Sequence, residues 1–264
     1  MLATVVVYAA CTKDSSMIAT YQTDNGGTSY VRVIHASPYF RNVWSAPDSF
    51  NIYINNSKIN SPFLTYGSLF PSTTSNGYVS VPSGLQQVRF SVNGIVNVDS
   101  LTFATLSPVF VQGAYYSLIV TDSLKTSTNL GTQMLLRDTL NPVLQGYYNL
   151  RFVNTVYTDS LISTTGKFTV DVFSYARNAV IWQGIPAGGV TSFQTLATNI
   201  SIADTLYVTR TPTSTASATY LPNRVVLAKL AVTPLNRNYT LLYRGDATLA
   251  SGTKAKALAI YAHQ

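Results

Sequence analysis

One strand-like stretch occurs twice in this chain and constrains what it can fold into. Tyr30 to Pro38 reads Y-V-R-V-I-H-A-S-P, and Tyr148 to Tyr157 reads Y-N-L-R-F-V-N-T-V-Y. Both alternate apolar residues around a central arginine, Arg32 and Arg151. Alternation with a period of two is the signature of a β-strand. Its recurrence predicts two copies of one β-domain. Asn154 stands where His35 aligns, so the shared features are the alternation and the arginine. That assigns His35 to architecture rather than chemistry.

The composition agrees. Ten acidic residues occur in 264, and all are Asp; Glu is absent. Helical surfaces rely on Glu and Lys, whereas this chain has 18 Tyr, 11 Phe and many Val, Ile and Thr, which favour strands. Charged residues make up 10%, against roughly 25% in an average soluble protein. The formal charge is +7, but the cations are scattered singly, without the basic run that nucleic-acid binding requires. The single Cys11 excludes an internal disulfide and any multi-cysteine zinc site.

Short alternating runs follow the first copy of the motif. Phe50, Ile52 and Ile54 share one face, and Asn55-Asn56-Ser57 supplies a turn. Tyr78 to Val81 runs into Pro82-Ser83-Gly84; Val88, Phe90 and Val92 alternate; Tyr115 to Thr121 and Met134 to Leu136 complete the set. Strands this short, punctuated by Gly, Pro and Asn, predict an antiparallel β-sandwich. The second copy repeats the order: Phe168, Val170 and Val172, then Trp182 to Gly189, Thr205 to Arg210, Leu235 to Tyr243 and Ala257 to Ala262. The expected layout is a segment 1–11, a polar linker 12–29, and sandwiches over 30–141 and 146–264. The link Asn141 to Gly146 is short, which predicts a semi-rigid rod.

Four segments of the first copy carry a resemblance. V-R-V-I-H-A-S-P, F-N-I-Y-I-N-N-S-K-I, L-T-Y-G-S with G-Y-V-S-V-P-S-G-L-Q-Q-V-R-F-S-V, and G-A-Y-Y-S-L-I-V-T occur in that order. They resemble the family of domain of unknown function 4397, found in bacterial secreted and surface proteins. The resemblance covers most of residues 30 to 140 and implies an immunoglobulin-like β-sandwich there and no activity; with the repeat, the expected fold is all-β, two tandem immunoglobulin-like antiparallel sandwiches. Between Pro38 and Phe50 the chain departs from the family with a longer link that holds Tyr39, Phe40, Arg41 and Trp44. Aromatics with an arginine in a sandwich-end loop suit a sugar- or protein-binding site. The alternative is that these rings cap the core.

Leu2 to Ala10 is apolar and ends in Ala9-Ala10 before Cys11. This resembles the end of a bacterial lipoprotein signal peptide, with Cys11 the lipid-bearing first residue of the mature protein. The positive leader region is missing, and the alternative is a β-strand that completes a sheet. The tripeptide D-[ST]-L recurs at Asp99, Asp122, Asp138, Asp159 and Asp204. It resembles the O-glycosylation signal of secreted Bacteroidota proteins, with Ser100, Ser123, Thr139, Ser160 and Thr205 as acceptors; a local Asx-turn role for the Asp is compatible with it.

A catalytic site is not expected. The chain has two histidines, His35 and His263, and no paired carboxylates, G-x-S-x-G, Walker loop or calcium loop. No metal or cofactor is implied. The function expected is that of a non-enzymatic, lipid-anchored protein of the bacterial cell surface or outer membrane that binds a glycan or protein partner. The alternative is an extracellular filament subunit that assembles by N-terminal strand addition.

Overall fold

The computed structural model describes residues 27–40, 48–72, 77–92, 101–121, 133–156, 169–198, 203–212 and 221–263. They form an all-β structure of several mainly antiparallel sheets. In the first half one sheet is built on β1 (Thr28–His35), β5 (Leu69–Phe70), β6 (Val79–Pro82), β11 (Tyr115–Val120) and β12 (Met134–Asp138), in the order β12-β11-β1-β5 with β6 also on β1. Facing it are β2 (Ser49–Ile54), β3 (Ser57–Lys58), β4 (Leu64–Thr65), β8 (Val88–Val92) and β9 (Leu101–Leu106), with order β3-β2-β8-β9 and β4 on β2. A two-stranded ribbon pairs β7 (Gly84–Leu85) with β10 (Val109–Phe110).

The second half repeats this plan. β13 (Tyr147–Asn154), β16 (Gln194–Ala197), β19 (Asn238–Arg244) and β20 (Ala257–Ala262) form a sheet ordered β16-β13-β19-β20. β14 (Thr169–Ser174), β15 (Ala179–Pro186), β17 (Asp204–Arg210) and β18 (Val226–Val232) form another, ordered β15-β14-β17-β18. The equivalence holds residue by residue. Arg32 opposes Ser117 across β1 and β11, and Arg151 opposes Thr240 across β13 and β19. The amide of Gly67 donates to the carbonyl of His35, and that of Gly188 to the carbonyl of Asn154.

Each half has a core between its own sheets. Val31, Val33, Phe50, Ile52, Phe90 and Leu118 lie in the first; Leu150, Phe152, Val170, Val172, Val208 and Leu241 in the second. The alternation in F-N-I-Y-I-N therefore places its apolar face where the sequence predicts.

Among the strands of the described residues one pair in each half runs parallel: β1 with β11, and β13 with β19. Parallel pairs are usually covered on both faces, and these are. From Tyr116 to Val120 and from Leu150 to Asn154 every residue is buried. The residues that do not face their own core form a third cluster: Ile34, Ala36 and Ile119 from the first half, Val153, Leu242 and Tyr261 from the second. The halves are thus stacked face to face in four layers, not strung end to end as a rod. The reason lies in the strands, not the link. β1, β11, β13 and β19 carry apolar residues on the second face too, Ile34, Ile119, Val153 and Leu242, and burying each such side chain stabilises by about 1.5–3 kcal/mol.

Gly245 (φ 117°) leads the chain out of β19. A Cβ there would lie 2.4 Å from the Ala255 carbonyl oxygen, a backbone atom that cannot move aside. Gly245→Ala is expected to lower the unfolding free energy by about 2–3 kcal/mol, measured by urea titration.

Candidate functional site

Within the face-to-face layer lies a buried polar network with approximate two-fold symmetry. Each half contributes an arginine, a hydroxyl, an aromatic ring and an acceptor. In the first half these are Arg32, Ser117, Tyr78 and Asp138; in the second, Arg151, Thr240, Phe193 and His263. Arg32 Nε donates to Ser117 Oγ at 2.7 Å, and Arg151 Nε donates to Thr240 Oγ1 at 2.8 Å. Ser117 donates to Asp138 at 2.6 Å, and Thr240 Oγ1 is 2.7 Å from His263 Nε2. The arginines then cross over. Arg151 Nη2 donates to Asp138 Oδ1, and Arg32 Nη2 lies 2.7 Å from His263 Nε2. Arg32 covers the Tyr78 ring at 5.2 Å, and Arg151 the Phe193 ring at 4.9 Å.

The contacts fix the protonation of His263. Tyr78 donates to Asp138 Oδ2 at 2.7 Å, so its oxygen accepts from His263 Nδ1 at 2.6 Å. Nε2 is left bare to accept from Arg32 and Thr240. The imidazole is neutral, and burial followed by Arg32 and Arg151 holds it well below its ordinary value. Burial also pulls the Arg32 guanidinium down and pushes the Tyr78 phenol up. Two guanidinium ions, one carboxylate and one neutral imidazole are sealed here, so this network joins the halves and offers nothing to a ligand.

The open surface offers more. A cleft of about 420 Å³ at one end of the second half is lined by Gln145, Tyr148, Arg177, Thr198, Asp204 and Asn236, among others. A neighbouring cleft of about 340 Å³ shares Asn236 and is lined by Tyr115, Asn141, Pro142 and Arg237. Together they run along the link between the halves. Arg177 is held in place by its neighbours. Nη1 donates to Asp204 at 2.8 Å, Nη2 donates to the Ala197 carbonyl, and the guanidinium lies 5.6 Å over the Tyr148 ring. Asp204 also accepts from Ser174 at 2.6 Å and from the Ala176 amide at 2.9 Å. A third cleft, about 520 Å³, lies in the first half around Phe63, Leu64 and Phe70 and has no charged side chain in its lining.

Two of the four residues expected to form a binding loop, Tyr39 and Phe40, are among the described residues. Phe40 is fully buried, packed on His35 at 5.2 Å and on Phe50 at 5.4 Å, so it belongs to the core instead. Tyr39 is half-buried. Arg41 and Trp44 lie outside the described residues, as do Cys11, Ser100, Ser123 and Ser160. Thr139 is exposed, and Thr205 is half-buried within β17. Their preceding aspartates have structural partners: Asp138 pairs with Arg151, and Asp204 with Arg177. His35 is fully buried among Phe40, Phe50 and Tyr66. Burial, then Lys254 and Arg244, pulls its pKa down to about 3. His263, taken from sequence only as a penultimate residue, is the one that sequence reasoning missed. M-L-L-R-D over 134–138 and A-I-Y-A-H over 259–263 share no residue, and only the pairing of β12 on β11 and of β20 on β19 places His263 at the Asp138 position.

Comparison with known proteins adds a family and two distant structures. No curated protein matches the chain. The Bacillus anthracis TIE protein is 11% identical with a TM-score of 0.18; the match covers 82% of this chain, which spans about a third (33%) of that one. A DUF1812 protein from Bacteroides thetaiotaomicron is 11% identical with a TM-score of 0.20, covering 89% of this chain and 98% of that one. Likenesses this distant place no ligand or activity on the chain. Residues 29–158, from β1 to just beyond β13, match the domain of unknown function DUF4397, and over that segment the chain is similar to this family.

Proposed function

We propose that this is a non-enzymatic binding protein of the bacterial cell surface, held to the membrane by a lipid on Cys11. In this reading two tandem immunoglobulin-like domains, the second a diverged copy of the DUF4397 type, present a glycan- or protein-binding site. The observation that carries it is the groove along the link between the halves. It has ligand-sized volume, and it is lined by amides and hydroxyls around a positioned arginine. The two histidines, the usual general bases, are both buried in packing roles. The exposed hydroxyl of Thr139 is available for a glycan on the D-[ST]-L pattern.

Two measurements test this. Mass spectrometry of the native protein is expected to find a mature N-terminus at Cys11 carrying acyl chains; an unmodified segment from Met1 to Ala10 would sink the anchor. A glycan-array and pull-down screen of residues 27–264 is expected to return a partner whose binding fades when Arg177 is changed.

A second reading, a filament subunit that adds its N-terminal strand to a neighbour, has one observation in its favour. The ribbon β7–β10 exposes Leu85, Val109 and Val111. The described chain enters beside it, with Ser83 donating to the Gly27 carbonyl. Deleting residues 1–11 would then abolish assembly and leave each monomer folded; a variant that still assembles removes this reading.

A further inference from the structure

The distribution of charge is uneven in a way the totals conceal. Five of the ten aspartates fall among the described residues, and each is engaged within the protein. Asp138 is bonded by Arg151, Tyr78 and Ser117. Asp171 is bonded by Arg224 at 2.7 Å and Thr211 at 2.6 Å. Asp204 holds Arg177, Asp246 accepts from Thr248, and Asp48 pairs with Lys254 at 2.5 Å. Carboxylates are used as internal struts. Arg137 and Arg237 remain exposed with no carboxylate partner among the described residues. A surface of this kind attracts anions.

The junction groove concentrates that property. Among the described residues that line it the only carboxylate is Asp204, which is 5% exposed and already has three donors. Arg177 uses both terminal nitrogens to hold its place, and its side chain is still 26% exposed. Among the described residues nothing accepts from its Nε–H. Nε lies on the side edge of the planar guanidinium, from which it can donate to a carboxylate. Because Asp204, Ala197 and the Tyr148 ring already fix the side chain, little rotamer entropy remains to be lost on binding. Around it Gln145, Asn236, Thr198 and Thr233 supply groups that both donate and accept. Those groups match a polyhydroxylated ligand, and Arg237 continues the positive character into the adjoining cleft.

We propose that this groove binds a carboxylate-bearing oligosaccharide, a uronic-acid chain, with one carboxylate seated on the Nε edge of Arg177 and the chain running toward Arg237. The inference rests on the glycan-binding reading above and narrows its ligand class.

The test is calorimetric titration of the full chain with short oligomers of galacturonate, guluronate and glucuronate-containing hyaluronan, each beside its methyl-esterified form. At least one uronate is expected to bind, and its ester to bind about ten- to a hundred-fold more weakly, the worth of a charge-assisted hydrogen bond. Arg177→Gln is expected to lose a similar factor. Arg177→Lys keeps the charge beside Asp204 but removes the fork; it guards against misfolding of the first variant and should also bind more weakly. Arg237→Gln, on an exposed residue, should show a smaller loss. If acid and ester bind equally, or Arg177→Lys binds like the parent, the anionic assignment is overturned while glycan binding stands. If no saccharide binds, or only an acidic peptide such as oligo-aspartate does, both the assignment and the glycan reading fall.

Discussion

Replacing Asp138 by asparagine is expected to lower the unfolding free energy by about 3–5 kcal/mol, because it removes the only carboxylate, among the described residues, from a sealed layer that holds two guanidinium ions. Asp138 is 4% exposed, Arg32 0% and Arg151 3%, so water cannot take over the lost partner. Arg151 loses its direct bond, and Arg32, whose Nε is 4.0 Å from Asp138, loses the opposing charge. Urea titration of parent and variant measures the difference. A loss below about 1 kcal/mol would mean that the arginines are hydrated in solution. A companion variant separates pairing from polarity. With Arg32, Asp138 and Arg151 all replaced by leucine or methionine, nothing charged remains to be desolvated. Stability should then return to near the parent value or exceed it.

Acidification below about pH 6.5 is expected to weaken the protein through its two buried histidines. His35 is held at about 3 and His263 well below its ordinary value, in both cases chiefly by burial. An unfolded chain takes up a proton on each imidazole near pH 6.5, whereas the folded chain resists this. Stability is therefore complete above pH 6.5 and is lost as pH falls toward the folded values. The slope is about 1.4 kcal/mol per pH unit for each histidine. Between pH 7 and pH 5 the two together should remove about 4 kcal/mol. Protonation of His263 would also deprive Arg32 and Thr240 of their acceptor and set a third cation beside Arg32 and Arg151, with Asp138 alone opposing. Tyr78 and Tyr261 are the other titratable groups nearby, and they stay neutral in this range. His263→Asn should halve the slope. Equal stability at pH 7 and pH 5 would refute the neutral assignment.

The alternation of F-N-I-Y-I-N and V-R-F-S-V was enough to place Phe50, Ile52, Val88 and Phe90 in a core, since a strand with one apolar face has one place to put it. The layered arrangement was harder to read. Val31 and Val33 face one core while Arg32 and Ile34 face another. Single-sequence alternation cannot say whether the second face meets water or a second sheet. Arg32 and Arg151 were visible as the repeated centre of the motif, but a repeated arginine reads equally as an exposed residue. Its role emerges only when the register brings Asp138 and His263, each at the end of a last strand, opposite the other half's arginine. The groove was not legible at all. Arg177 lies in a turn, and its partner Asp204 is 27 positions later, masked by a tripeptide pattern that drew attention to the neighbouring hydroxyl.

The pairing of distant strands also dictates an order of events in time. Arg32 meets Ser117 across 85 positions and Arg151 meets Thr240 across 89, because the first strand of each half is completed by a strand made much later. Arg32 meets His263 only across 231. Contacts of such long sequence separation are slow to form, since loop closure must precede any gain from them. A chain emerging from a ribosome or a translocon would hold Ile34 and Ile119 uncovered until Val153 and Leu242 arrive to cover them. During that interval the half-made protein presents a greasy β-surface to whatever is near. A holdase that shields this surface should raise the yield of correctly stacked protein, until His263 is made and reaches Arg32.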